Sequence, residues 1–195
     1  MFHSVKSHRA EIFLGLALAT FAFSTGQTNS RPAKGQTDKS TLRKIYDEDQ
    51  QNRSDDSRRL LRARVRQMIA EDKVQTGEDY YYAAFIFQHG QKPEDYLCAH
   101  VLAMTALSKG FEPAKWLAAA TLDRYLRSVK QPQIFGTQFG SLFDDGDLEP
   151  YNKDLLSDKM REQWCVKPYA KQLEILNDTK TGREFTSTRI CPIPE

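Results

Sequence analysis

From residue 41 onward the apolar positions keep a helical beat. Leu42, Ile45 and Tyr46 fall three and four apart and the spacing carries on to Asp49, while Leu61, Val65, Met68 and Ile69 form one stripe along a second stretch, Asp55 to Lys73. Thr76-Gly77-Glu78-Asp79 has the form of a helix start, with a side-chain cap and acids in the first turn where the helix dipole favours them. The helix it opens runs to about His89, and Gly90 stops it. Pro93-Glu94-Asp95 starts a fourth helix that ends before Gly110, and Glu112-Pro113-Ala114 starts a fifth that carries Trp116, Leu117, Ala120 and Leu126 to about Ser128. Past Lys130 the pattern becomes a loop, Gln131 to Gln138, and Asp144-Asp145-Gly146-Asp147 turns the chain. A further helix is expected from Lys153 or Leu155 to Gln163, another turn or two from Tyr169 to Leu176, and a polar tail from Thr179 that is loosely held unless Cys191 ties it down. The whole predicts an all-α, compact helical domain of about five to seven helices, spanning residues 41–178 with a tail at 179–195.

The fourth and fifth helices are rich in small residues: Ala99, Ala103, Ala106, Ala114, Ala118, Ala119 and Ala120. Such residues let helices approach closely, so a central antiparallel hairpin closed at Gly110 is expected. The pattern is locally similar to one helix pair of a Sel1-like or tetratricopeptide repeat. It spans little more than one unit, and a solenoid needs about three, so the likeness reads as hairpin chemistry alone.

The first residues follow other rules. Lys6 and Arg9 precede an uncharged apolar run, Ile12 to Phe23, with Ala22 to Ser24 at its end; this is the form of a cleavable signal peptide over 1–24, followed by a disordered tether at 25–40. The run is short of the about 20 apolar residues a membrane span needs, and an uncleaved anchor is the competing reading. No Cys follows the run, so a lipoprotein signal is not expected. A periplasmic or secreted location follows, with no membrane association after cleavage. A mean hydropathy of -0.63 excludes a polytopic membrane protein, and a net charge of +2 with an isoelectric point near 8.4 is too mild for a nucleic-acid binder. The arginines at 58, 59, 62, 64 and 66 read as a solvated helix face flanked by acids. Export gives meaning to the three cysteines, since at most one bridge can form among them. Cys98 sits in an apolar helical pattern and reads as a small buried hydrophobe. Cys165 and Cys191 are the expected pair, and no Cys-x-x-Cys supports a redox site or a zinc ribbon.

Candidate chemistry lies where polar residues occupy positions the pattern assigns to apolar ones. Asp123 shares a stripe with Trp116, Ala119 and Ala120, and a carboxylate there must be hydrogen-bonded or paired. With Arg124 it is either a core ion pair or part of a site facing a cleft. His89, beside Gln88, is either a favourable charge at a helix C-terminus or a general base. His100 reads as a satisfied core histidine. The spacing of the two histidines supports no metal site, and no cofactor is implied. The loop Gln133 to Gln138 is either a site whose backbone N–H groups, Thr137 and Gln138 meet a ligand, or a turn held by its own side chains. Nucleophile elbow, Walker loop and His-Glu-x-x-His signatures are absent from the sequence.

Taken in order, Asp49-Gln50 with Arg53, Ala83-Ala84, Phe87-Gln88-His89-Gly90, Ala99-His100, Asp123-Arg124, and Gln133 with Gly136-Thr137-Gln138 resemble a family of uncharacterised bacterial proteins, over roughly Leu42 to Leu173. The resemblance implies a shared helical domain and brings no activity with it. The leading expectation is a domain that binds a small molecule or a protein through a polar cleft built from Gln88, His89, Asp123, Arg124 and the Gln133 to Gln138 loop. The alternatives are a hydrolase with His89 as base, Asp123 orienting it and Thr137 or Gln138 holding substrate, and a structural helical adaptor. Convergence of His89, Asp123 and Gln138 on an open cavity would mark the first two; a sealed core around Asp123 would mark the third.

Overall fold

A computed structural model describes residues 36–52, 54–139, 147–181 and 187–192. Residues 1–35, including the apolar run, most of the tether and Lys6 and Arg9, lie outside the described residues, as do Arg53 and the turn at 140–146. The described residues form seven α-helices and no strand: α1 (Gln36–Gln51), α2 (Asp55–Ala70), α3 (Gly77–Gln88), α4 (Pro93–Ser108), α5 (Lys115–Ser128), α6 (Asp158–Gln163) and α7 (Tyr169–Lys180). A 3₁₀ turn, Glu112–Ala114, leads into α5. The protein is an all-α helical domain, with α1 starting at Gln36, five residues before the expected position, and α7 running on past Leu176 to Lys180.

Helix α3 is the middle of the fold. Its residues Tyr81 to Gln88 are buried in one unbroken run, because α1, α2, α4 and α5 cover it on several sides. A helix enclosed in this way has little use for an amphipathic pattern. Its start is fixed by a capping box in which Thr76 Oγ1 accepts from the Asp79 N–H at 3.1 Å and Asp79 Oδ2 accepts from the Thr76 N–H at 2.9 Å. The Ala-rich pair α4 and α5 packs as anticipated, with Ala99, Ala103, Ala106, Ala114 and Ala118 to Ala120 buried. Gly110 closes the hairpin at φ 81°, a left-handed backbone that glycine adopts without strain. His100 Nδ1 lies 3.0 Å from the Ala118 carbonyl and so donates its proton there, tying α4 to α5.

The C-terminal part is held more firmly than its polar composition suggests. Cys165 and Cys191 are joined, with their Cα atoms 5.3 Å apart, and Cys98 is free and half-buried rather than fully enclosed. The disulfide is one tie among several. The Ile190 N–H donates to the Cys165 carbonyl, the Lys167 N–H to the Thr188 carbonyl, Trp116 Nε1 to Thr188 Oγ1, and Arg189 Nη2 to the Pro113 and Pro192 carbonyls.

Candidate functional site

Asp123, on α5, is wholly buried, and both of its oxygens are spent on the loop that follows. Oδ1 accepts from the Ile134 and Phe135 N–H groups at 2.8 and 3.0 Å; Oδ2 accepts from the Thr137 N–H at 2.9 Å and its hydroxyl at 2.8 Å. Burial pushes this carboxyl up from its ordinary range, and the donated hydrogen bonds oppose that shift. The loop N–H groups that were candidates for a ligand therefore point inward.

The same loop is closed by its glutamines. Gln133 Nε2 donates to the Gln138 carbonyl at 2.9 Å and to the Leu148 carbonyl, while its Oε1 accepts from the Gln138 N–H at 3.1 Å. Gln138 Nε2 donates to the Ala120 carbonyl and to Thr137 Oγ1, and its Oε1 accepts from Arg124 Nε at 3.0 Å. Gly136 sits at φ 80°, where a Cβ would lie 2.0 Å from Gln172 Oε1, so both conformation and space require glycine. Gln133, Thr137 and Gln138 are buried with Asp123 and form a sealed, self-satisfied polar core, not the wall of a cleft.

His89 belongs to a different cluster. Its Nδ1 lies 2.5 Å from Oδ2 of Asp49, a side chain with no exposed surface on the last turn of α1. The carboxylate that orients His89 is thus Asp49, not Asp123. Gln50 Nε2 also donates to Asp49 Oδ2, and Arg58, on the first turn of α2, brings Nε to 3.7 Å from Asp49 Oδ1. The Asp49 Oδ1 and Arg58 Nε atoms have no hydrogen-bond partner among the described residues. The side chains of His89 and Arg58 keep 19% and 21% of their surface, so solvent reaches the pair from outside.

Two more arginines converge on the same end of α3. Arg62 is buried and donates from Nη1 to the His89 carbonyl at 2.9 Å, and Arg124 donates from Nη1 to the Gln88 carbonyl at 2.6 Å. Carbonyls at a helix C-terminus lack intrahelical donors, and a guanidinium satisfies them while opposing the negative end of the dipole. Arg62 and Arg58 thereby leave the solvated face that the sequence assigned to them. Burial draws the Arg124 guanidinium down from its ordinary value, and the nearby Arg58 charge adds to that shift. Arg124 also lies over the Tyr96 ring, 5.9 Å from its centroid.

Of the residues marked in sequence, the structure gathers Gln88, His89 and Arg124 at one place and Asp123, Gln133, Thr137 and Gln138 at another, with Arg124 bridging the two through Gln138. Asp49 and Arg58 are the additions. Among the described residues no three His, Cys, Asp or Glu side chains come together as a metal-ligand set. What these features define is a helical domain with an oriented, solvent-reachable histidine among arginines. A scan against protein-family models, a search of curated proteins and a search of solved structures each return no match for this chain.

Proposed function

We propose that the protein is an exported helical domain that binds a small molecule at the His89 face and acts on it as a hydrolase, with His89 as general base. The observation that carries this reading is the His89–Asp49 pair at 2.5 Å. A buried carboxylate on Nδ1 fixes the tautomer that leaves Nε2 unprotonated, and it stabilises the imidazolium formed when that nitrogen takes a proton. Among the described residues Nε2 has no hydrogen-bond partner, which leaves it to draw a proton from water attacking an electrophilic carbonyl or phosphoryl centre and to return that proton to the leaving group. Asp49 is then a positioning residue. Support for export comes from the apolar run at Ile12 to Phe23 and from the Cys165–Cys191 bridge, a bond that persists in oxidising compartments. Among the described residues no helix is long and apolar enough to cross a membrane.

The structural-adaptor reading is favoured by a separate observation, the sealing of Asp123 inside its own loop. It accounts for that loop and leaves the exposed edge of His89 without a role. A panel of activated carboxylic and phosphoric esters separates the two. The full chain should hydrolyse at least one class, and His89→Gln should lower kcat by roughly a hundredfold or more, as removal of a general base does. A full chain inactive on every class, or a His89→Gln variant with undiminished turnover, would remove the general-base reading.

A further inference from the structure

The arginines around His89 are not equivalent, and the difference bears on what the site holds. On α2, Arg59 pairs with Asp56 at 3.4 Å, and Arg62 and Arg66 both approach Asp95, at 3.8 and 3.3 Å. Their charges are answered within the fold. Arg124 has no carboxylate partner among the described residues. Its Nε and Nη1 meet only neutral acceptors, the Gln138 amide and the Gln88 carbonyl, and these take two of its five N–H donors. A guanidinium partly withdrawn from water without a counter-charge is costly. Arg58 belongs to the same end of α3, since it approaches Asp49, the carboxylate that holds His89, and Arg124 caps the carbonyl of the preceding residue, Gln88. Arg58 in turn has only Asp49, at 3.7 Å, and Asp49 is already committed to His89 at 2.5 Å. Two guanidinium groups and an imidazole thus answer to one buried carboxylate, and the excess is positive.

We infer that Arg58 and Arg124 form the binding site for an oxyanion, a phosphate or carboxylate group of the ligand, placed beside His89. Guanidinium groups suit this task because their fork of N–H donors matches the paired oxygens of such anions. The Nη2 of Arg124 and the outer nitrogens of Arg58 have no partner among the described residues and remain to meet the anion. Arg124 is fixed for it by three anchors: the carbonyl of residue 88, the Gln138 amide and the Tyr96 ring. The sealed Asp123 loop gains a purpose here, since it is what holds Gln138 against Arg124.

This inference rests on the His89 site and deepens the reading of it as a ligand site, but its test needs no turnover. Inorganic phosphate and, separately, acetate are titrated into the full chain, and binding is followed by calorimetry and by the ring resonances of His89. At least one anion should bind saturably, and Arg124→Gln and Arg58→Gln should each weaken it by about tenfold or more, the worth of a charge-assisted contact. Arg58→Gln guards the result against misfolding, because that side chain is partly exposed and its ion pair with Asp49 is long at 3.7 Å; a cooperative thermal melt and a parent-like circular dichroism spectrum establish that the variant is folded. Saturation by phosphate alone assigns a phosphorylated ligand, and saturation by acetate alone assigns a carboxylate. Absence of saturable binding by either, or binding unchanged in a folded Arg58→Gln variant, would overturn the inference. A chain that binds phosphate yet hydrolyses no ester keeps the anion site and loses the general base.

Discussion

Replacing Asp123 tests the architecture on which the site is hung. Asp123→Ala strips an acceptor from three backbone N–H groups. Ile134 is half-buried and can rehydrate, whereas Phe135 and Thr137 are buried and cannot. Leaving a buried donor unsatisfied costs about 1 to 3 kcal/mol, so the substitution should destabilise by roughly 2 to 6 kcal/mol, against a total stability of about 5 to 15 kcal/mol for an ordinary domain. Asp123→Asn should cost less, about 1 to 3 kcal/mol. Its oxygen can still serve Ile134 and Phe135, and its amide can donate to Thr137 Oγ1, leaving the Thr137 N–H orphaned and the Thr137 hydroxyl proton without its acceptor. Urea unfolding followed by circular dichroism gives the magnitude, and native-state hydrogen exchange gives the place: amides at 134–138 should lose protection in Asp123→Asn while those of α3 and α4 keep theirs. A loss below about 1 kcal/mol for Asp123→Ala would refute the hydrogen-bond accounting, being smaller than one orphaned donor. So would strong coupling to Arg124→Gln beyond what the shared Gln138 contact transmits, since Asp123 makes no ion pair with Arg124 among the described contacts.

His100 is expected to make the fold acid-sensitive. Burial draws its pKa below the ordinary 6.5, so beneath that pH the unfolded chain takes up a proton that the folded one resists. Stability is complete above about pH 6.5 and declines as the pH falls toward the lower folded value, and the melting temperature of His100→Gln should fall less between pH 7 and pH 5 than that of the parent. An identical fall in both would show that His100 is not responsible. Reduction of the Cys165–Cys191 bridge, which spans 26 residues of sequence, should cost up to about 3 to 4 kcal/mol in the chain-entropy model. The contacts of Thr188 and Arg189 should keep the segment docked at room temperature, so a thermal melt with and without reductant should shift while far-ultraviolet dichroism at 25 °C stays unchanged; helix loss on reduction alone would contradict this.

The helical grammar was legible because it is written in local signals. Caps, Pro at first turns and Gly stops depend on neighbours within four residues, and so α3 and α4 fall close to where Thr76, Gly90, Pro93 and Gly110 place them. Partners across the fold are another matter. Asp123 stands out as an acid on an apolar stripe, but helical spacing gives a face and not an acceptor, and residues adjacent in a helix point in different directions. Arg124 turns to Gln88 and Gln138, while Asp123 turns to backbone donors eleven to fourteen residues downstream. The same signal was present at Asp49, which follows Leu42, Ile45 and Tyr46 at helical spacing and is buried as completely. The two acids differ in what they hold. Backbone N–H groups cannot leave without unfolding the loop, so a carboxylate spent on them is part of the fold. A carboxylate whose partners are the side chains of His89 and Arg58 holds groups that are free to shift, and that difference is the reason for proposing the chemistry at Asp49 and the scaffold at Asp123.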